Sequence, residues 1–159
     1  MQKVLIYGYG NPGRQDDALA NELVQLMEHW IGEQQLLNVD VDSNYQLNIE
    51  DAELISHYDL VYFVDASIEP DLDDVAISEV QPSDAKVEFT MHAVSPAYVV
   101  DLCQKIYHKK PEAYLVHIKG YAWDFMEAMT EEAHHNLQKA FSLLKYKLLM
   151  LKDNSLVTH

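Results

Sequence analysis

Two adjacent carboxylates, a third carboxylate and a histidine occur in segments that are typical of ligand sites. Asp16 and Asp17 follow a glycine-rich stretch at 8–13 (GYGNPG), Asp65 ends an apolar run, and His92 precedes a segment with helical character. Two carboxylates and one imidazole can bind a borderline divalent ion and leave coordination positions open. Zinc or nickel suits this set better than copper(I), which prefers thiolates. The chemistry that these residues favour is therefore metal-dependent.

Each of these residues also has an ordinary structural role open to it. Asp17 is placed to cap a helix, Asp65 to stand in a turn, and His92 to be a partly buried, hydrogen-bonded histidine. The single cysteine, Cys103, lies on an apolar helical stripe and is expected in the core. No serine or cysteine stands in a G-x-S-x-G elbow or beside a suitable base, which argues against a serine or cysteine nucleophile.

The hydrophobic pattern predicts strands that alternate with helices. Strands are expected at 3–7, 36–41, 60–64, 75–80, 87–90 and 113–118, and helices at 17–31, 49–57, after Ser95 and after Thr130. Asp16 or Asp17, Ser95 and Thr130 are the expected N-caps. This order predicts a three-layer α/β/α sandwich with a mostly parallel sheet of about five strands.

The chain is long enough for one domain, which we expect at 1–152, with a frayed tail at 153–159. Ligands in open α/β sheets bind beyond the carboxyl ends of the strands. The loop after the first strand, Asp65 and His92 are all predicted to lie at that edge. The sequence therefore predicts that the candidate residues converge.

The charge of the chain is strongly acidic and unevenly distributed. The formal net charge is −15, and 18 of the 26 acidic residues lie in 16–84, where no Lys or Arg occurs. Nucleic acid and anionic membrane are poor partners for such a surface, whereas a cation or a basic protein segment is attracted to it. No apolar run is long enough to span a bilayer and the N-terminus lacks signal-peptide character, so we expect a cytoplasmic protein.

The glycine-rich stretch has two interpretations. Residues 8–13 match G-x-G-x-x-G between a strand and a helix, which is the pattern of a Rossmann-like dinucleotide-binding domain. Asp16 and Asp17 at the helix N-terminus would repel a pyrophosphate, and Pro12 removes one backbone donor. The alternative is that the glycines bend the backbone so that a carboxylate projects over the end of the sheet.

The same residues carry a family resemblance. The stretch GYGNP at 8–12 with the acidic pair Asp16 and Asp17, the segment VDA at 64–66, and His92 shortly before a helix resemble three ordered motifs of the hydrogenase maturation proteases. The resemblance extends over residues 4–144. Members of this family remove a C-terminal tail from the large subunit of [NiFe] hydrogenases after nickel insertion.

This resemblance implies the roles of individual residues. Asp17, Asp65 and His92 become both the metal ligands and the catalytic residues, and the ion is the nickel already held by the substrate, with zinc or cadmium expected to substitute for it. Candidates for the surrounding shell or for substrate contact are Asp16, Asn11, Tyr45 and Gln46. Many members carry a D-G-G-T-like turn where this chain has DSNYQL at 42–47. We expect this segment to select the substrate.

The implied activity is that of an endopeptidase, metal-dependent or aspartyl-type, acting as a monomer on a [NiFe] hydrogenase large-subunit precursor. No nucleic acid or membrane partner is expected. The main alternative is a non-catalytic maturation factor that binds the same nickel-loaded precursor without cutting it. A dinucleotide-binding domain is the weaker alternative.

Overall fold

The computed structural model describes residues 1–84 and 94–157, with side chains as far as Asp153. A 3-10 helix lies between the first strand and the first α-helix. The elements are β1 (Val4–Tyr9), the 3-10 helix (Gln15–Ala18), α1 (Leu19–Gln34), β2 (Val39–Asn44), α2 (Asp51–Ile55), β3 (Leu60–Ser67), β4 (Val75–Glu79), α3 (Pro96–Tyr107), β5 (Glu112–Lys119) and α4 (Glu131–Val157).

The strands form one sheet in the order β2-β1-β3-β5-β4. The neighbours from β2 to β5 are parallel, and β4 runs antiparallel along the edge of β5. Helices α1 and α4 pack on one face of the sheet, while α2 and α3 pack on the other. The predicted three-layer fold with a mostly parallel sheet is confirmed. The strand expected at 87–90 lies outside the described residues.

The two hydrophobic cores follow from the alternation of side chains along buried strands. In β1, Val4 and Ile6 enter the core beneath α1 and α4, and Leu5 and Tyr7 enter the core beneath α2 and α3. Cys103 is fully buried in the second core, as its helical stripe predicts. The inner strands are thus apolar on both faces, which explains their continuous apolar runs.

Several helix and strand ends differ from the sequence prediction. The first α-helix begins at Leu19, and its N-cap is Ala18 without a side-chain cap bond, so the prediction that an aspartate caps this helix is wrong. Strand β3 continues to Ser67, which places Asp65 inside the strand. The caps expected at Ser95 and Thr130 are confirmed by hydrogen bonds of 3.1 and 3.2 Å to their helices.

The last helix extends to Val157, through the first part of the segment that we expected to fray. Among the described residues, no helix combines the length and the apolar character that crossing a bilayer requires.

Candidate active site

Two glycines allow β1 and its loop to approach the first helix closely. A Cβ at Gly8 would lie 2.8 Å from the carbonyl oxygen of Ala20, and a Cβ at Gly10 would lie 2.3 Å from the carbonyl oxygen of Asp17. Both distances are far below van der Waals contact. These glycines therefore serve the packing of the chain on itself, and the second one sets the position of Asp17.

The carboxylate of Asp17 closes the glycine-rich loop. Its Oδ2 accepts a hydrogen bond of 2.9 Å from the backbone N–H of Asn11. The N–H groups of Gly10, Gly13 and Arg14 donate to Asn44 or to Asn11 at 2.9–3.1 Å. A pyrophosphate would find these donors already engaged, which disfavours the dinucleotide interpretation. The loop instead holds a carboxylate at the carboxyl edge of the sheet.

Asp65 lies at the same edge, near enough to Asp17 for the charges of the two carboxylates to interact. It is partly buried near the end of β3, on the same face as Val61 and Phe63. Burial, together with the negative charge of Asp17, raises the pKa of Asp65 to about 7, against the opposing effect of the Ala66 N–H. The structure thus brings together two of the three residues predicted to bind the metal.

The electrostatic effect of Asp65 on Tyr9 agrees with the position of Asp65 at this edge. Burial and the nearby charge of Asp65 raise the pKa of the Tyr9 phenol well above its ordinary value. Tyr9 is the last residue of β1 and Asp65 lies near the end of β3, which pairs with β1. The carboxyl ends of two adjacent strands and the 3-10 helix therefore meet at one place.

The third predicted ligand, His92, lies in 85–93, outside the described residues. Within the part of the chain that the structure does describe, no three His, Cys, Asp or Glu side chains are arranged to hold a metal ion. His117, which the sequence analysis did not single out, is paired with Asp65 in the register between β3 and β5. Its Nε2 lies 3.0 Å from the hydroxyl of Ser78, and burial lowers its pKa.

Asp16 points away from Asp17 into the protein. Its side chain is 0% exposed and accepts hydrogen bonds of 2.7 and 3.1 Å from the N–H groups of Tyr121 and Ala122. The N–H and hydroxyl of Thr130 donate to it at 2.9 and 2.8 Å. A carboxylate buried so completely does not reach a substrate, so only an indirect role remains for Asp16.

The hydrogen bonds that hold Asp16 come from a loop that the sequence analysis did not connect with the site. A Cβ at Gly120 would lie 2.9 Å from the Cβ of Asp16 and 2.8 Å from the Trp123 ring. Gly120 therefore lets the loop at 120–130 close over Asp16. In the sequence, Gly120 directly follows a strand and Thr130 precedes a helix. Neither feature indicates that the loop binds Asp16, which lies more than 100 residues away.

The remaining candidates lie near the end of β2. Tyr45 is 68% exposed, and its N–H donates to Asn44 Oδ1 at 2.8 Å. The side-chain amide of Gln46 donates to Asn48 Oδ1 at 3.3 Å. The N–H of Asn11 donates to Asp17, and Asn11 Oδ1 accepts a hydrogen bond from the N–H of Gly13. Of these three side chains, Tyr45 is mainly exposed to solvent, whereas Gln46 and Asn11 are partly buried.

The fold is similar to that of hydrogenase maturation proteases of known structure. One is the [NiFe] hydrogenase maturation protease HycI from Thermococcus kodakarensis KOD1, with 17% identity, a TM-score of 0.70 and 90% of each chain covered. Another is the hydrogenase maturating endopeptidase HybD from E. coli, with 15% identity, a TM-score of 0.68 and 93% of each chain covered. The predicted resemblance is confirmed in the fold.

Comparisons of sequence alone give no such match. No protein-family model matches the chain, and no curated protein matches it.

Proposed function

We propose that this protein is a cytoplasmic endopeptidase that removes the C-terminal extension of a nickel-loaded [NiFe] hydrogenase large-subunit precursor. The observation that carries the proposal is that Asp17 and Asp65 lie within range of each other's charge at the carboxyl edge of the sheet, where the 3-10 helix contacts β3. This pair lies in a fold shared with maturation proteases along about nine-tenths of the chain. Fold alone does not determine function, so the support for this activity comes from the residues of the site.

The chemistry of the pair fits a divalent cation. Two partly buried carboxylates that repel each other are stabilised when a cation lies between them. A buried oxygen adds to this: within the described residues, Asn21 Oδ1 has no hydrogen-bond partner. Asp17 Oδ1 and Asn21 Oδ1 would lie 3.3 and 3.4 Å from a Cβ placed on Gly10, so both acceptors lie on the same side of the Gly10 backbone. Acceptor oxygens grouped in this way favour a cation or a donor.

The substrate supplies the ion in this proposal. Asp17 and Asp65 bind the nickel that the precursor already holds, and His92 is the proposed third ligand. Cleavage then depends on metal loading, because a precursor without nickel lacks the group that the two carboxylates recognise. Binding through the ion also fixes the C-terminal tail next to the carboxylates. Because the tail is already held in place in that complex, less entropy is lost when water attacks the scissile bond, and this favours the reaction.

Substrate choice is assigned to the segment at 42–47. Asp42 and Asn44 belong to β2, whose carboxyl end pairs with that of β1, and Tyr45 projects from this end with a mainly exposed ring. Leu47 is buried and must be retained in any exchange. Replacing residues 42–46 with the corresponding segment of a related protease should change which precursor is processed. Unchanged specificity would assign selection to another surface.

The experiment that tests the proposed activity compares two forms of one precursor. The protein is incubated with the large-subunit precursor of its own organism, either loaded with nickel or prepared without it, and the mass of the subunit is followed. We expect loss of the C-terminal extension from the nickel-loaded form only. Binding of the nickel-loaded form without any change in mass would support the non-catalytic maturation factor instead.

A further inference from the structure

Three exposed apolar side chains lie around the candidate site. Ile68 is 74% exposed, Phe125 is 68% exposed and Met126 is 95% exposed. Ile68 follows β3 three residues after Asp65, and the other two belong to the loop between β5 and α4. We refer to these three residues as the apolar rim. Large apolar side chains that are exposed beside a site are typical of an interaction surface.

The loop between β5 and α4, which carries Phe125 and Met126, is held against the glycine-rich loop. The N–H of Met126 donates to the carbonyl oxygen of Gly13 at 3.0 Å, and Arg14 Nε donates to the carbonyl oxygen of Trp123 at 2.8 Å. The Arg14 guanidinium also lies 5.4 Å from the centre of the Phe125 ring. Together with the four hydrogen bonds to Asp16, these contacts join the part of the rim formed by Phe125 and Met126 to the segment that carries Asp17.

The backbone conformation of Met126 also indicates that the surrounding structure holds this loop in place. Its φ of 61° lies in the left-handed region, which a residue with a long side chain rarely adopts. This conformation is kept although the side chain makes almost no contact with the rest of the protein. Strained positions of this kind persist when the surrounding structure enforces them, and they are concentrated at functional sites. Here the result is that the thioether projects into solvent beside the site.

The charges around the rim indicate what can bind there. Glu69 adjoins Ile68, while Asp124 and Glu127 flank Phe125 and Met126, and all three acids are exposed. Arg14 lies against the Phe125 ring and offsets one of these three charges, so the net charge of the four residues is negative. An apolar segment with neighbouring Lys or Arg residues complements both features of this surface. An acidic segment would be repelled.

We propose that the apolar rim is the docking surface for an apolar segment of the precursor polypeptide that carries flanking basic residues. This inference rests on the proposed function, because it places the chain next to the ion that Asp17 and Asp65 bind. Asp16 is a positioning residue in this account: it fixes the loop that bears Phe125 and Met126 at a constant distance from the metal-binding carboxylates.

Two rim variants test the proposal with nickel-loaded precursor as the probe. Met126→Gly removes the side chain and also relieves the left-handed strain, so it is expected to fold at least as well as the parent. Phe125→Ser removes the ring. Each should raise KM by about 10-fold, which corresponds to the loss of one strong interface contact, while kcat stays near the parent value. Affinity of the free protein for added nickel should not change, since neither residue touches the carboxylates.

Leu37→Ser provides the matched control. Leu37 is 93% exposed but precedes β2, at the opposite edge of the sheet, so this variant should process the precursor as the parent does. Raising the ionic strength should increase KM for the parent, because the acids around the rim are screened. Parent-like KM in both rim variants would overturn the docking proposal while leaving the proposed activity intact. Absence of cleavage by the parent itself would instead contradict the proposed function.

Discussion

Thr130 donates two hydrogen bonds to Asp16, one from its backbone N–H at 2.9 Å and one from its hydroxyl at 2.8 Å. The two residues are 114 positions apart in the chain, and Thr130 also caps α4. One carboxylate thus joins the start of the first helical segment to the start of the last helix. This contact separates the roles of the two adjacent aspartates: Asp16 holds the structure, and Asp17 is free to face the site.

The first prediction is that Asp16→Asn lowers the free energy of unfolding by about 2–4 kcal/mol, because hydrogen bonds to a charged group contribute about 1.5–3 kcal/mol each. An amide NH₂ in this place would also face N–H donors. Urea unfolding measures the change. Thr130→Ser keeps both donors and should cost much less. Equal stability of Asp16→Asn and the parent would show that the buried carboxylate is not an anchor.

The sequence predicted the fold because its local signals agree with the tertiary structure. The apolar run at 60–64 is buried on both faces of β3, and the stripe that includes Cys103 faces the core. It did not predict the full length of β3, whose last residues, Asp65 to Ser67, pair with His117 to Lys119. That extension depends on a strand some fifty residues away, and local propensity carries no information about it.

For the site, the sequence predicted that Asp17 and Asp65 lie close together, and the resemblance assigned different roles to Asp17 and Asp16. The hydrogen-bond partners of the two adjacent aspartates were not predicted. Either aspartate was suited to cap α1, and both bind other partners instead. Asp16 binds a loop that is remote in sequence, and no spacing rule identifies such a contact. The roles of Asp17, Asp65 and His92 in binding metal stay predictions.

The second prediction concerns the glycines. Gly10→Ala should destabilise the protein by more than about 2 kcal/mol, since its Cβ would overlap the backbone of Asp17 and overpacking of this kind typically costs about 1–3 kcal/mol or more. Gly32→Ala is the matched control, because a Cβ there meets nothing within 4 Å and the residue lies inside α1. This control should gain about 0.5–1 kcal/mol. Similar effects of the two substitutions would contradict the close approach at Gly10.

The third prediction is a pH dependence of stability from Asp65. Its pKa is raised from 3.8 to about 7 in the folded protein, so the folded state favours the protonated form. This contribution to stability is complete below the unfolded pKa and is lost as the pH rises through about 7. Asp65→Asn, which carries no charge, should therefore become more stable relative to the parent as the pH rises from about 4 to about 8.

Urea unfolding at several pH values measures this difference. Glu28→Gln serves as the control, because Glu28 is an exposed carboxylate of α1 that lies outside its first turn. A constant difference in stability between Asp65→Asn and the parent across this range would contradict the raised pKa of Asp65, to which burial contributes most and the charge of Asp17 less.

The central claim is that Asp17 binds the substrate's nickel, and it is tested most directly by the rate at which Asp17→Asn cleaves the nickel-loaded precursor. Asn keeps the size of the side chain and an oxygen that can accept the Asn11 N–H, and it removes the repulsion between Asp17 and Asp65, which offsets the loss of a charged acceptor. The free energy of unfolding in urea should therefore change by no more than about 1–2 kcal/mol. The charge that attracts a divalent ion is lost. We predict that the rate of cleavage, followed by mass spectrometry, falls by about 1,000-fold or more, as expected for an interaction of about 4 kcal/mol or more. A folded Asp17→Asn protein that trims the precursor near the parent rate would contradict the account.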